Sequence, residues 1–401
     1  MLKRSWQQRS DSASQAMTAF AAFTLLLPTT WVHVALFLLV LFWVLGGNFE
    51  EKIHRIKLNP VALWAVGFFA LFLLGVLHTS TAYPTAFKTL GKYHKLLYIP
   101  IIISALSAET WRYRAYMTLL VAILVNMALT YGIWAGLLPP GPIGQEYTLF
   151  KGRIAWPFFM AFGTFIMAHH FALEPKRRWI WGPLIVLGLY NIAYMNSGRT
   201  GQIIIISLIL LFSFQQGRWR GFFIGTATAI ALVAIGVTTS PIIQQRIQQE
   251  TITLQNGQQP ENSTSIRISY YKNTLRIIAA HPLVGGGTGS FPDNYRAIAT
   301  QLNIPTTDNP HNEYLMITSQ LGLVGFCIFL LMGYWQWRNT AFLPSPYREA
   351  SQGLIIAMAT GCLFNSFLLD HSEGYFYVIV SGILFSGITA HRTKTQSQLI
   401  D

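Results

Sequence analysis

Apolar runs long enough to cross a bilayer leave this chain few folds to choose from. A hydrocarbon core of about 30 Å takes roughly 17–25 apolar residues as helix. No water is available there to satisfy backbone polar groups, so only helices and closed barrels span it. Such runs recur near 17–29, 31–46, 60–77, 96–108, 115–137, 154–172, 179–196, 201–215, 221–239, 314–335, 352–369 and 375–391. The first pair and the fourth are short or interrupted, by Pro28 and Pro100. Composition agrees: 11% of residues are charged and 52% hydrophobic, where soluble domains carry about 25% charge. The expected class is all-α, a polytopic membrane protein with about twelve transmembrane helices.

The opening MLKRSWQQRSDSAS puts basic residues ahead of an apolar stretch, as a secretory signal does. No small-x-small cleavage pattern follows, and Trp31 leads straight into a second run, so the first run is read as a transmembrane helix. Lys and Arg gather on the cytoplasmic side of membrane proteins. A cytoplasmic N-terminus puts most of the 28 Lys and Arg inside, in short turns such as 174-EPKRRW-179 and 215-QQGRWRG-221. The net charge of +13 is scattered over short loops instead of forming one patch, so no nucleic-acid partner is expected. The outside minority, which includes Lys88, Lys92, Lys95, Lys151, Arg199 and Arg267, runs against topology and calls for another explanation. Cys327 and Cys362 both fall in apolar runs, giving neither a disulfide framework nor a cysteine metal site.

Connections are short with one exception, which divides the chain into helices one to nine (1–239), a large outer loop (240–312) and three last helices with a cytoplasmic tail (313–401). Loops of this length are functional or disordered. Within it, 265-SIRISYYKNTLRIIAAHPL-283 has helical periodicity, with Ile268, Tyr271, Leu275 and Ile278 on one face. This predicts an amphipathic helix packed by that face on the outer membrane face of the spans. The run 285-GGGTGSF-291 lacks the Lys-Ser/Thr of a phosphate-binding loop and follows no predicted strand. It reads as a tight turn that lets the chain double back.

Several polar residues stand where chemistry would need them. Arg199 in 196-NSGRTGQ-202 is either a snorkelling interfacial side chain or, among small neighbours, an approachable planar fork for phosphate oxygens. Arg267 offers the same fork from the loop. His311, in 310-PHNEYL-315 at the entrance to a span, is a helix-entry residue or a general base whose ordinary pKa suits neutral pH. Asn312 and Glu313 beside it are supporting candidates. Lys88 and Lys92 share a helical face with Lys95, as an interfacial basic helix or as ligands for an anionic substrate. His371, in 369-LDHSEGYF-376, borders the site or solvates a turn. No Asp-x-Asp or paired carboxylate is present to hold a metal, and no cofactor is expected.

The element SGRTG, then 265-SIRISYYKNTLRIIAAHPLVGGGTGSF-291, then PHNEYL resembles, in order and spacing, the O-antigen ligase and polymerase superfamily. The resemblance runs from about residue 150 onward. It implies a bacterial inner-membrane glycosyltransferase of GT-C type, its active site facing the periplasm. Such an enzyme takes a glycan from undecaprenyl pyrophosphate without a metal. Arg199 and Arg267 would then bind the pyrophosphate and His311 would act as base. Length and the absence of a large soluble extension favour a ligase acting on lipid A core, with a polymerase of carrier-linked repeat units as the alternative. A multispan oligosaccharide or lipid transporter would carry ionisable residues in the middle of its spans; here they gather at the outer ends.

Overall fold

Two helices among the described residues are buried on every face over most of their length, and the rest is built around them. In a computed structural model that describes residues 2–139, 141, 147–256 and 264–388, the order is α1 (Leu2–Thr24), α2 (Thr29–Leu45), α3 (Phe49–Leu58), α4 (Pro60–Leu77), α5 (Tyr83–Tyr93), α6 (Tyr98–Ala105), α7 (Glu109–Trp134) and α8 (Ala155–Leu173). There follow α9 (Arg178–Tyr194), α10 (Arg199–Thr239), α11 (Pro241–Asn256), α12 (Thr264–Ala280), α13 (Phe291–Leu302), α14 (Glu313–Asn339), α15 (Tyr347–Cys362) and α16 (His371–Phe385). No strand occurs among the described residues. The expected cytoplasmic tail lies outside them from residue 389 on.

The two central helices are α8, buried from Ala155 to Met167, and α16, buried from Glu373 to Phe385. A helix hydrophobic all round belongs inside a bundle. Phe376 of α16 stacks on Phe159 of α8 with ring centroids 4.5 Å apart, and meets Phe158 and Phe162 edge-on. Outer helices reverse the pattern. Phe223, Ile224 and Ile230 of α10 are exposed, as a lipid-facing surface requires. Four helices among the described residues are long and apolar enough to cross a membrane, in the segments Pro60–Leu77, Glu109–Trp134, Arg199–Thr239 and Glu313–Phe342, and the bent pair α2 and α3 supplies a fifth if counted as one span. The chain is therefore an all-helical protein with several candidate spans. Of the other runs read from the sequence, 96–108 holds only the short α6, and 352–369 stops as helix at Cys362.

Local signals fix the helix ends. Asn59 caps α4 by accepting from Val61 N (3.1 Å) and Ala62 N (3.4 Å), with Pro60 in the first turn where its missing N–H does no harm. Its amide also donates to the Phe385 carbonyl at 3.0 Å, tying α4 to the core helix. Helix α10 is broken at Gly217 and Arg218, the latter at φ 52°. Gly221 and Gly225 beyond the break lie against Ser213 before it, so α10 is a hairpin of two antiparallel halves, as the separate runs 201–215 and 221–239 suggested. Its end returns to the level of its start, where Ser240 Oγ donates to Ala193 O at 2.8 Å.

Helix α14 is broken at Gly322 (φ 63°, ψ −163°), and the glycine-rich loop fills the break. Leu323 N and Val324 N donate to Pro282 O (2.8 Å) and Leu283 O (3.2 Å), while Gly286 N and Gly287 N donate to Ser319 O (3.0 Å) and Gln320 O (2.8 Å). Thr288 N bonds Gly75 O of α4 at 3.0 Å. Gly285, Gly287 and Gly289 all have positive φ, so the loop is the tight reversal its composition implies. A Cβ on Gly287, at φ 88°, would meet the Thr79 backbone. Gly287→Ala is therefore expected to destabilise the fold by more than about 2 kcal/mol. Fluorescence-detected size exclusion after a temperature ramp reads this, and an unchanged midpoint would contradict the packing.

The expected amphipathic helix within 240–312 is α12, but its buried face is not the apolar stripe. Ile266, Asn273, Thr274 and Ile277 are buried, whereas Ile268 and Leu275 are largely exposed. In a lipid setting the apolar stripe can face the hydrocarbon while small polar residues pack inward, as the fully buried Thr274 does, its hydroxyl satisfied by Tyr270 O of the preceding turn (2.7 Å).

Candidate functional site

His311 stands at the entrance of α14 with φ 55°, a left-handed conformation unusual for a side chain of its size. Its N–H donates to Asn309 Oδ1 at 2.8 Å, and its carbonyl accepts from the Tyr271 hydroxyl at 3.2 Å. The Tyr270 ring lies alongside the imidazole, centroids 6.2 Å apart. Held backbone strain of this kind concentrates at functional sites. Burial and the neighbouring Arg267 both lower the imidazole pKa from its ordinary value, while the Asn365 amide pulls the other way. The ring is thus neutral at neutral pH and able to accept a proton.

Asn312 is the N-cap: its Oδ1 accepts from Leu315 N and its Nδ2 donates to Leu363 O, both at 3.0 Å. Glu313 is fully buried and committed to structure. Its Oε1 accepts from the Tyr93 hydroxyl (3.0 Å), and its Oε2 accepts from Leu368 N (2.8 Å) and Leu369 N (3.0 Å). A carboxylate so engaged is an anchor, not a base within reach of a substrate.

Arg267 projects from α12 and donates to Phe364 O at 3.1 Å. Arg199 opens α10, next to Thr200, whose Oγ1 accepts from Asn365 Nδ2 at 2.8 Å. The small residues around Arg199 have a different reason from the approachability read in the sequence. A Cβ on Gly198 would collide with Arg153 O, and one on Gly201 with Pro157, so these glycines let α10 pack on the start of α8.

One non-helical segment, 363-LFNSFLLD-370, joins all of these. Leu363, Phe364, Asn365, Ser366, Leu368 and Leu369 bond Asn312, Arg267, Thr200, Asn309 and Glu313. Sequence reasoning reached only its end, at 369-LDHSEGYF-376, because most of its bonds are made by backbone atoms, which any residue supplies; Asn365 and Ser366 were the further legible signal.

Lys92 and His371 lie on a neighbouring cleft of about 370 Å³, with His33, His94, Lys95 and Asp370. Lys88 is exposed on α5 and does not line it. The three lysines do not share one face as their spacing suggested. After Tyr93 the chain tightens into a 3₁₀ turn, and Lys95 is buried with its Nζ donating to Asp370 O at 2.6 Å. Burial lowers its pKa to about 8 against the pull of Glu313, Asp370 and Glu373. His371 Nε2 is 2.9 Å from His33 Nε2. Burial, then His33, Lys95, Lys151 and His94 around it, lower its pKa to about 4, which makes it a neutral ring beside two lysines.

The chain has been compared with known proteins. Residues 183–330 match the family model described as O-antigen ligase. The matched stretch contains Arg199, Arg267, His311, Asn312 and Glu313, and ends before the 363–370 segment that bonds Arg267, Asn312, Glu313 and Thr200. No curated protein matches the chain.

Proposed function

We propose, from the chain's place in the O-antigen ligase superfamily, that it transfers a polysaccharide from undecaprenyl pyrophosphate to a sugar hydroxyl of lipid A core. The observation that carries this reading is the convergence of Arg267, Asn312 and the Arg199–Thr200 turn on the segment 363–370 beside His311. As the bond from the anomeric carbon to the pyrophosphate breaks, negative charge grows on the leaving oxygens. Fixed guanidinium groups stabilise that state more than the ground state. The acceptor oxygen attacks the same carbon from the opposite face, inverting its configuration, and its proton passes to His311. No metal enters this scheme. The wider plan is a GT-C type protein of about twelve spans in the bacterial inner membrane, with the periplasmic loop 240–312 between helices 1–239 and the last three.

Deleting the gene in its host, and analysing lipopolysaccharide and carrier-linked glycan separately, tests the activity. A ligase leaves long glycan on the carrier and a bare core. A single repeat unit on the core would show a polymerase instead. Topology has its own test: reporters fused at Asn256 and Thr395 should report opposite sides of the membrane, and the same side from both would refute a periplasmic site.

A further inference from the structure

A cavity of about 820 Å³ lies between the break in α10, the end of α14 and the start of α15. The first half of α10 runs unbroken from Thr200, which bonds Asn365 beside His311, to the break at Gly217, so this cavity lies across the bundle from His311. Three guanidinium groups line it: Arg218 at the break in α10, Arg338 in the last turn of α14, and Arg348 in the first turn of α15, all exposed.

Its wall also presents two buried acceptors without partners. Glu349 Oε1 is taken by Arg348 Nε (3.0 Å) and Nη2 (2.7 Å), while Oε2 has no partner. Asn339 is 2% exposed. Its Nδ2 donates to Trp335 O at 2.7 Å, which fixes the amide orientation, and leaves Oδ1 buried and unbonded. Buried polar atoms are rarely left so. The wall behind them is rigid, held by Gln215 to Gln352 (2.6 Å) and Gln352 to Thr340 (3.2 Å). Trp337 on the rim is of the type that marks headgroup depth.

We infer that this cavity binds the headgroup of a phospholipid, its phosphodiester held by Arg218, Arg338 and Arg348 and its terminal ammonium or hydroxyl donating to Glu349 Oε2 and Asn339 Oδ1. Cations alone would suit any phosphate. The two acceptors add a demand for a donor a few bonds away, which phosphatidylethanolamine and phosphatidylglycerol meet and phosphatidylcholine does not. Basic pockets between membrane helices take anionic headgroups by the same forces, and planar guanidinium groups match phosphate oxygens in pairs.

The test uses the purified full-length chain, stripped of lipid in detergent. Native mass spectrometry counts bound lipid, and the thermal midpoint is followed in parallel. Phosphatidylethanolamine or phosphatidylglycerol should be retained at one per chain, about tenfold better than phosphatidylcholine, and should raise the midpoint. The double variant R218Q/R338Q should lower retention about tenfold or more. Both side chains are exposed, so the single variants read the same effect if the double one folds poorly. Asn339→Leu should narrow the preference over phosphatidylcholine. Equal retention of phosphatidylcholine, undiminished retention in the arginine variants, or a full midpoint shift from millimolar inorganic phosphate alone would each overturn the assignment.

Discussion

Replacing His311 by Ala is expected to slow transfer by on the order of 10²–10⁴-fold, the usual worth of a positioned base, with donor lipid still bound. The ring is held by its own backbone: the Asn309 side chain and the Tyr271 hydroxyl fix the peptide groups on either side of it. Its protonation state suits the role. Burial and Arg267 lower its pKa below the ordinary 6.5, so the neutral form dominates at neutral pH. Activity should fall as acidification protonates it, with an inflection below 6.5. His311→Gln keeps reach and hydrogen bonding but cannot take the proton, and should be about as slow as Ala. A purified transfer assay with donor binding measured alongside decides the matter. Near wild-type turnover in the Gln variant would reduce His311 to a positioning role.

The second large effect is expected at the arginines. Arg267→Ala and Arg199→Ala should each lower turnover by about 10²-fold or more, the scale on which charge-stabilising donors act, without loss of membrane insertion. Lys at either position keeps the charge but loses the planar fork, and should restore activity only in part. The two sites differ in one respect. Arg267 also bonds Phe364 O, so its loss loosens the 363–370 segment, and Arg267→Ala should lower the thermal midpoint slightly. Full activity in Arg199→Ala would leave that residue as a snorkelling side chain at the membrane surface.

What the sequence made legible follows from which atoms do the work. The bundle was readable because crossing lipid demands long apolar runs, and the hairpin in α10 because QQGRWRG interrupts one. His311, Arg199 and Arg267 could be singled out as candidates because His and Arg are side chains of distinctive chemistry. Most of the segment 363–370 was hidden because its carbonyls and N–H groups carry no sequence signature. The burial of Lys95 was hidden for another reason: helical spacing places it beside Lys92, and the spacing fails where α5 gives way to a 3₁₀ turn. In α12 the apolar stripe predicts a packing face, yet Ile268 and Leu275 on it point outward. A membrane protein has two apolar surroundings, core and lipid, and periodicity does not tell them apart.

The glycine-rich loop seated in the break of α14 means that sequence neighbours and mechanical neighbours are not the same residues. The stretch Glu313–Leu321 is sewn to residues 286 and 287, and the stretch beyond Gly322 is sewn to Pro282 and Leu283. Where a continuous helix would bond to itself, this span borrows carbonyls from a loop in another part of the chain. The amide protons of Leu323 and Val324 therefore act as gauges of that loop. Hydrogen exchange there should quicken when residues 281–289 lift away, even while the flanking turns of α14 stay protected.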